Sequence, residues 1–309
     1  MIDPSSFKWI HRTQQGSERA ENKDCFSIIN SDLGTWVFVI DISTSSIART
    51  ELAKRFSEHF HACIQNLLKD SMRAFTENTL QEKPRLDSYF EDAENRNQII
   101  QQAFSATKKE LRIGVASFLA LYRNDSSDKA YGFCAGDCRL GLLNNESIQW
   151  LSPVHTGANP SGNDFENPMS LLPERHILTK SLNLRRKFEP EAFELDTSTD
   201  DVFVVATDGF WMELDEAQQQ SFINEPDVRL TDKYLVDDTS VLLVTWSALE
   251  QEFEPKFECG LSLELTLSPK KLTIQTNENL LIIDSRSSDF SSNENIATTL
   301  TEIENKNEY

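Results

Sequence analysis

Short apolar runs that end or begin near an acidic residue recur along this chain, and they predict strands buried on both faces. The runs occupy residues 36–40, 202–206 and 241–244. Asp41 and Asp208 follow the first two runs, whereas Asp237 precedes the third. An acid after one strand and an acid before its antiparallel neighbour lie at the same edge. The pattern therefore predicts that these three carboxylates meet at one edge.

Three carboxylates at one edge indicate a cation site. A carboxylate beside a buried strand costs free energy unless something pairs with it. Gly209, next to Asp208, indicates a tight turn or a close approach of the backbone to a ligand. Oxygen donors of this kind bind Mg²⁺ or Mn²⁺. The alternative for any one acid is a strand cap or the start of a turn, but their joint occurrence favours the metal site.

The same periodicities predict the remaining elements. We expect an edge strand at residues 7–16, a strand at 25–29, a meander of hairpins through 115–122, 130–137, 139–143 and 148–151, and two more strands before 202. We expect helices at 47–68, 95–112 and 214–223, with a helical piece within 69–95. The first helix presents one apolar face made of Leu52, Phe56, Phe60, Cys63 and Leu67. Residues 154–175, rich in Gly, Asn and Pro, predict a surface loop.

The last part of the chain has a different pattern. Leucines alternate with polar residues from 261 to 267, which predicts a hairpin across Ser268-Pro269-Lys270 and a further strand at 280–283. The tail from about Ser285 is polar and predicts a mobile segment. We therefore expect a main domain at 1–248 and a C-terminal β-rich extension at 249–309.

The amino-acid composition limits the kinds of molecule that this protein is expected to bind. The chain has 309 residues, 39% of them apolar, which is enough for a substantial core, and a net charge of −20. That charge argues against nucleic acid and anionic membrane as partners. The five cysteines form no Cys-x-x-Cys pair, which predicts reduced thiols in a cytoplasmic protein. We also expect no signal peptide and no membrane span.

Six segments, in this order along residues 16–245, resemble the motifs of the metal-dependent protein serine/threonine phosphatases of type 2C. They are Arg19-Ala20-Glu21-Asn22-Lys23-Asp24, Val39-Ile40-Asp41-Ile42-Ser43-Thr44, Gly136-Asp137-Cys138-Arg139, Leu151-Ser152-Pro153-Val154-His155, Thr207-Asp208-Gly209 and Asp237-Asp238-Thr239-Ser240-Val241. Each motif is weak alone, whereas the ordered set is specific. The resemblance implies an α+β fold of two packed, mainly antiparallel β-sheets flanked by helices, an αββα sandwich with a two-metal site at one end.

The resemblance also implies roles for individual residues. Asp41, Asp208 and Asp237 are similar in position to the carboxylates that hold one Mn²⁺ or Mg²⁺ ion. Asp41 and the carbonyl of Ile42 resemble the contacts to the second ion, and Asp24 resembles an acid that holds metal-bound water. Two ions would acidify a bridging water for in-line attack on a phosphate ester.

Arg19 resembles the guanidinium that binds the substrate phosphate, for which its planar fork is suited. The implied catalytic set is therefore Arg19, Asp24, Asp41, Asp208 and Asp237. Without the neighbouring motif residues, Arg19 would be interpreted as a solvated surface arginine.

Two departures from the family pattern affect the second ion. Ile42-Ser43-Thr44-Ser45 replaces a glycine-rich turn, and a β-branched residue restricts the backbone there. Lys23 stands where a glutamate commonly helps to hold metal-bound water. A cation at this position repels a divalent ion, although it could pair with phosphate instead.

Two other departures affect a third ion and a histidine. Met212 replaces an aspartate that often holds a third ion together with the acid at Asp137. We therefore expect the third site at Asp137 to be weakened or absent. Val154 replaces the aspartate before His155, which predicts a structural role for this histidine.

The leading hypothesis is a Mn²⁺- or Mg²⁺-dependent phosphatase that acts on phosphoserine or phosphothreonine in proteins. Its partners would be a phosphorylated protein substrate and a cognate kinase or that kinase's target. The rival is a pseudophosphatase, a phosphoprotein-binding or regulatory module that keeps the fold without efficient chemistry. A third hypothesis gives the biological role to 249–309 as a docking appendage.

Overall fold

The computed structural model describes most of the chain. The described residues are 9–31, 33–43, 46, 50–76, 86–124, 127–144, 147–161, 165, 169, 171–198, 200–225, 230, 236–245, 266–267, 270–271, 273–277 and 280–284. For 70–76, 86–88, 266–277 and 282–284, the description is limited to the backbone.

The described elements are mainly strands. In chain order the strands are β1 (Trp9–Gln14), β2 (Asp24–Ser31), β3 (Gly34–Ile42), β4 (Val115–Arg123), β5 (Lys129–Ala135), β6 (Arg139–Asn144), β7 (Ser147–Trp150), β8 (Leu182–Asn183), β9 (Glu191–Asp196), β10 (Val202–Ala206), β11 (Thr239–Thr245), β12 (Thr266–Leu267), β13 (Lys270–Lys271), β14 (Thr273–Asn277) and β15 (Leu280–Asp284). The helices are α1 (Glu51–Thr76), α2 (Ala93–Leu111), α3 (Asp208–Trp211) and α4 (Glu216–Asn224), with short 3₁₀ helices at Leu86–Glu91 and Pro173–His176.

The strands form two large sheets. The first has five strands in the order β1-β11-β10-β6-β7, all antiparallel. The second has eight strands, with β14-β15-β2-β3-β4-β5-β9 in order and β8 paired to β4. Within the second sheet, β15 pairs with β2 in parallel and the other described pairs are antiparallel. The predicted α+β sandwich of two mainly antiparallel sheets is confirmed.

Both faces of the second sheet are buried, and the alternation of side chains along β3 explains how. Trp36, Phe38 and Ile40 belong to one apolar cluster, together with Phe56 and Phe60 of α1. The alternating residues Val37 and Val39 belong to a second cluster that joins the two sheets. Because successive side chains of a strand point to opposite faces, one continuous apolar run supplies two layers of core.

A third apolar cluster covers the outer face of the first sheet. Val204 of β10 and Val241 of β11 pack there with Phe210 of α3 and Phe222 of α4. The layers are therefore α1 and α2, the eight-stranded sheet, the five-stranded sheet, and α3 with α4. In the last of these layers, α3 begins at Asp208, just after β10 ends.

Three sequence-based expectations need correction. The meander is wrong between β5 and β6, because β5 pairs with β4 and β9 whereas β6 pairs with β10 and β7 in the other sheet. The apolar face of α1 continues through Ile64 and Leu68, which are buried, whereas Cys63 and Leu67 are only partly buried. The 154–175 segment is not purely a surface loop, because its first residues, Val154 to Thr156, are buried.

Other boundaries differ by a few residues. The helix expected at 47–68 is described from Glu51 to Thr76, and the one expected at 214–223 is α4, with the unpredicted short helix α3 before it. The capping box of Asp215 and Gln218 explains why α4 begins after a break. The edge position of β1 is confirmed.

The C-terminal region adds strands to the second sheet. β12 and β13 form the hairpin expected across Ser268-Pro269-Lys270, and β14 with β15 forms another. β15 lies beside β2, and its Leu280 is buried in the cluster between the sheets. The division into 1–248 and 249–309 stays a prediction, and the tail expected to be mobile lies outside the described residues.

The described helices are either too short or too polar to cross a lipid bilayer. Four of the cysteines, Cys25, Cys63, Cys134 and Cys138, are described, and all four are free thiols.

Candidate functional site

The strand ends that bear acidic residues meet at a pocket of about 140 Å³. The residues that line it are Arg19, Lys23, Asp41, Ile42, Ser43, Ser117, Asp137, His176, Leu178, Asp208, Asp237 and Asp238. The structure thus brings Asp41, Asp208 and Asp237 together as the pattern predicts, at the same end of the sandwich. Asp137, Ile42 and Arg19 also line the pocket.

Asp24 lies buried beside this pocket. Asp24 of β2 lies directly opposite Asp41 of β3 in this antiparallel pair of strands. The Thr207 hydroxyl donates a hydrogen bond of 2.8 Å to Asp24 Oδ2. Burial, followed by the neighbouring Asp238 carboxylate, raises the pKa of Asp24 to about 7. Its carboxylate is thus held in place by a residue of the Thr207-Asp208-Gly209 segment.

The carboxylates of the pocket destabilise one another as anions. Burial is the first cause that raises the pKa of Asp41 and Asp208 well above the usual range, and neighbouring acids are the second. Burial also raises the pKa of Asp137, to about 6. Like charges and desolvation both disfavour ionised carboxylates. A divalent cation or another positive group would relieve both effects, so the donor set suits a hard cation.

One positive group already contacts this set. Arg19 donates to both oxygens of Asp237, with Nε to Oδ1 at 2.6 Å and Nη2 to Oδ2. Although burial opposes the charge on Arg19, the hydrogen bond and the charge of Asp237 raise its pKa. A fork of this geometry is the strong form of a carboxylate ion pair. A cation that binds Asp237 has to compete with Arg19.

Asp238 fixes the loop that bears Arg19. Its Oδ1 accepts from the Gly16 amide at 3.0 Å, and its Oδ2 accepts from the Lys23 amide at 2.9 Å. Gly209 approaches the same segment so closely that an added Cβ would lie 2.0 Å from the Asp238 carbonyl oxygen. The sequence predicts a close approach of the backbone at Gly209. In the structure, Gly209 approaches the backbone of Asp238, in the turn just before β11.

Ile42 replaces the family's glycine-rich turn by extending β3. Its residue pairs with Ala116 of β4, and the Ser43 amide donates to the Val115 carbonyl at 3.1 Å. The Ile42 side chain is buried in the core below α1. This alternation leaves the preceding side chain, Asp41, on the face that lines the pocket.

The chain crosses between the sheets at Gly136-Asp137-Cys138. Gly136 has φ of +129°, and Ser117 Oγ accepts from the amides of Asp137 and Cys138, both at 2.8 Å. The Trp211 indole donates to the Asp137 carbonyl at 2.8 Å. These contacts from β4 and α3 position Asp137 at the pocket.

Sequence reasoning missed a pair of residues on the opposite wall. Arg175 and His176 end the 3₁₀ helix at Pro173–His176, and His176 lines the pocket. Arg175 Nε donates to His176 Nε2 at 3.0 Å, and its guanidinium contacts Met212 Sδ. Arg175 is the last residue of the segment expected to be a surface loop, and His176 follows it directly. The local sequence carries no signal that would place these two residues at the pocket.

The structure shows where Lys23 and His155 lie, two residues of the motifs that depart from the family pattern. Lys23 lines the pocket. His155 is buried, and its Nε2 lies 3.0 Å from Glu191 Oε2. Burial lowers the pKa of His155. These contacts agree with a structural role for this histidine.

Within the described part of the chain, no three His, Cys, Asp or Glu side chains converge closely enough to form a ready metal site. The pocket offers a suitable donor set, but its carboxylates are spread around the walls and one is paired with Arg19.

Comparison with known proteins identifies the fold. The PPM Ser-Thr phosphatase MsPP from Mycobacterium smegmatis, in complex with cacodylate, has a TM-score of 0.55 at 17% identity, over 77% of this chain and 97% of its own. The S. agalactiae serine/threonine phosphatase has a TM-score of 0.54 at 14% identity, over 76% and 98%. The catalytic domain of the phosphatase PstP, in complex with two manganese ions, has a TM-score of 0.51 at 14% identity, over 76% and 96%.

The chain therefore has the fold of the PPM-type serine/threonine phosphatases, and the resemblance is confirmed at this level. Searches by sequence alone match no family profile and no curated protein. At identities of 13–17%, the likeness establishes the architecture.

Proposed function

We propose that this protein is a metal-dependent phosphatase that hydrolyses phosphoserine or phosphothreonine in proteins. The observation that carries the proposal is the pocket in which Asp41, Asp208 and Asp237 adjoin Arg19 at one end of a phosphatase fold. Carboxylates suit a divalent cation and a guanidinium suits a phosphate, so one pocket combines the two chemistries that phosphate-ester hydrolysis needs.

Asp41, Asp208 and Asp237 would hold one Mn²⁺ or Mg²⁺ ion, and Asp41 with the Ile42 carbonyl would hold the second. Bound there, the two ions would supply an activated water and charge neutralisation for attack on the phosphate ester. Asp24, fixed by the Thr207 hydroxyl, would orient that water. A third ion at Asp137 is not part of the proposal, because Met212 lacks a carboxylate.

Arg19 would alternate between two anions. It now pairs with Asp237, and a cation bound by Asp237 would release the guanidinium to the substrate phosphate. Because the same arginine cannot neutralise both groups fully, cation binding and phosphate binding would favour each other.

The proposed partners are a phosphorylated protein, and the kinase that phosphorylates it or a target of that kinase. We also propose a cytoplasmic site of action, on the basis of the free thiols at Cys25, Cys63, Cys134 and Cys138. For residues 249–309, we propose an extension whose last described strand completes the second sheet.

An Asp208→Asn variant tests the activity. Loss of one charged ligand should lower Mn²⁺-dependent hydrolysis of p-nitrophenyl phosphate by about 100-fold or more, because the cation binds more weakly. The same change relieves repulsion among the acids, so the metal-free variant should melt at a higher Tm than wild type. Asp200→Asn, an exposed site remote from the pocket, is the matched control. Undiminished turnover in Asp208→Asn would contradict the proposed site.

The pseudophosphatase is the second candidate, and the Arg19–Asp237 ion pair favours it, because it occupies a proposed ligand. In that case wild-type protein should bind a phosphopeptide without Mn²⁺ and should not turn over aryl phosphate at any Mn²⁺ concentration. Calorimetric titration of phosphopeptide with and without Mn²⁺, run beside the hydrolysis assay, separates the two functions.

A further inference from the structure

The exposed large apolar side chains of the described residues lie in two segments of the chain that each contribute a residue to the lining of the pocket. Among the described residues, four large apolar side chains are exposed: Leu171 (86%), Leu172 (44%), Ile177 (60%) and Val236 (47%). Leu171, Leu172 and Ile177 flank the 3₁₀ helix whose His176 lines the pocket, and Val236 precedes Asp237. We call these four residues the apolar rim.

The backbone beneath one side of the rim is fixed by hydrogen bonds. The Gly157 amide donates to the Ile177 carbonyl at 2.8 Å, and the Thr179 amide donates to the His155 carbonyl at 3.0 Å. Between them, Thr156 forms a β-bridge with Leu178. The buried segment around His155 and Thr156 therefore holds the Ile177 side of the rim in place.

The other side is joined to it through Glu213. Glu213 Oε2 accepts from the amides of Val236 and Asp237, at 3.2 and 3.3 Å. Its Oε1 lies 3.8 Å from Nη2 of Arg175, which belongs to the 3₁₀ helix. One carboxylate thus connects Val236 to the segment that bears the other three residues, so both parts of the rim belong to segments that are joined beside the pocket.

Single exposed leucines are common on protein surfaces. Four exposed apolar residues in segments that adjoin one pocket instead indicate an interaction surface. The remaining large apolar side chains whose exposure the structure describes are buried or partly buried, including Trp36 and the surrounding phenylalanines of the core. Apolar side chains held on a fixed backbone at the entrance to a polar pocket form a surface that gains free energy when an apolar group covers it.

We propose that the apolar rim binds a large apolar side chain, such as Leu, Ile, Phe or Met, that lies next to the phosphorylated residue of a protein substrate. The inference rests on the phosphate pocket proposed above and deepens it to a substrate preference. Continuity with the pocket selects this occupant, because His176 and Asp237 line the pocket and directly adjoin Ile177 and Val236.

The spacing of residues in an extended peptide also fits this occupant. Neighbouring residues of an extended chain are spaced by about 3.3 Å, so a peptide with its phosphate in the pocket carries its next side chains across the mouth. The chain's net charge of −20 disfavours an anionic membrane as the occupant. A second copy of this chain is left as an outcome of the test.

The test uses peptides in which a phosphonate replaces the phosphoserine, so that binding is measured whether or not the protein is catalytic. One peptide carries Leu on both sides of the phosphonate, and its partner carries Ser. Fluorescence anisotropy with Mn²⁺ should show the Leu peptide binding to wild type about tenfold more tightly, as expected for partial burial of one or two apolar side chains.

A triple variant, Leu171→Ser/Leu172→Ser/Ile177→Ser, should bind both peptides with the weaker affinity. Glu174→Gln is the control, because it changes an exposed residue of the same 3₁₀ helix without removing apolar surface, and it should keep the tenfold preference. Circular dichroism melting verifies that the variants are folded, and single Ser variants replace the triple variant should it unfold.

Equal binding of the two peptides to wild type, absence of binding, or an unchanged preference in the rim variants would overturn the proposal. So would a concentration-dependent dimer in sedimentation that the rim variants abolish while peptide preference is absent. Hydrolysis of p-nitrophenyl phosphate is measured separately. A wild type that shows the peptide preference without this hydrolysis would refute the enzymatic function and leave the rim's binding preference standing.

Discussion

At the scale of single residues, the pocket is a balance between acids and a few cations. The acids Asp41, Asp208 and Asp137 have raised pKa values because burial and their neighbours oppose ionisation. Arg19 relieves Asp237 directly, whereas Lys23 lines the same pocket from the neighbouring loop position. The cations that partly neutralise the acids are also the groups that a divalent ion must displace or tolerate.

Lys23 is therefore predicted to weaken the second ion. Two like charges a few ångströms apart at a partly exposed site interact by about 1 kcal/mol in water and by several times that at lower effective dielectric. Lys23→Glu should lower the Mn²⁺ concentration for half-maximal activity by about tenfold, with a smaller effect on KM. Mn²⁺ titrations of hydrolysis for wild type and variant measure the difference.

The control for that comparison is Lys109→Glu, which makes the same charge change at an exposed position of α2. It should leave the Mn²⁺ dependence unaltered. Superimposable titrations for all three proteins would show that Lys23 does not act on the second ion.

At the scale of elements, the site depends on how strands end. β3 and β10 end at the same end of the sandwich at which β11 begins. The crossing between β5 and β6 brings Asp137 to that end. The crossing is tight, because a Cβ added at Gly136 would lie 2.3 Å from Ser117 Oγ, the acceptor of the Asp137 and Cys138 amides.

Gly136→Ala should therefore destabilise the fold and disturb the pocket together. The combination of positive φ and the clash with Ser117 should cost about 3 kcal/mol of unfolding free energy. Urea unfolding measures this cost, and Mn²⁺ affinity of the folded variant should fall as Asp137 and Asp41 shift. Wild-type stability in Gly136→Ala would contradict the described crossing.

At the scale of the whole molecule, the C-terminal strands complete the second sheet. β15 pairs with β2 over five residue pairs, and Leu280 is buried between the sheets. Removing residues 266–309 would leave the backbone of β2 unpaired on that side and expose apolar surface.

Paired truncations test this contribution. A chain ending at residue 265 should lose on the order of 3 kcal/mol of stability, from the apolar burial of Leu280 and its neighbours and from the lost strand pairing. A chain ending at 284 keeps β15 and should melt within about 2 °C of the full chain. Equal Tm values for the two truncations would show that β15 contributes no stability.

Acid should destabilise the fold through buried histidines, whereas the raised pKa values of the pocket acids act in the opposite direction. Burial lowers the pKa of His61, which is buried on α1, from its ordinary value of 6.5 to about 4. The unfolded chain therefore takes up this proton first as the pH falls. Stability from the neutral His61 is complete above pH 6.5 and is lost as the pH falls towards 4, by about 3 kcal/mol in total.

His61→Gln should remove the part of the pH dependence of stability that comes from His61. The variant should show a shallower decline of unfolding free energy between pH 6.5 and 4 than wild type, while His59→Gln, an exposed neighbour paired with Glu110, should not. Urea unfolding across this pH range provides the measurement. A slope unchanged by His61→Gln would contradict the buried, neutral state of His61.

The sequence by itself determined the buried strands and the convergence of the acids. The apolar runs before Asp41 and Asp208 predict their strands because short continuous runs rich in β-branched residues are typical of a strand covered on both faces. Both features are local in sequence, so periodicity and turn chemistry suffice to find them. The sandwich itself was predicted from the resemblance of the ordered motifs to those of the type 2C phosphatases.

Tertiary structure alone decided which strands share a sheet and which side chains meet. Nothing in the pattern of β5 and β6 distinguishes a hairpin from a crossing between sheets, because both need a short glycine-containing turn. The pairing of Arg19 with Asp237 joins residues more than two hundred positions apart. Arg175, His176 and the apolar rim reach the pocket because Glu213 and Gly157 hold their segment there. Such contacts depend on packing between distant elements, for which a local pattern carries no signal.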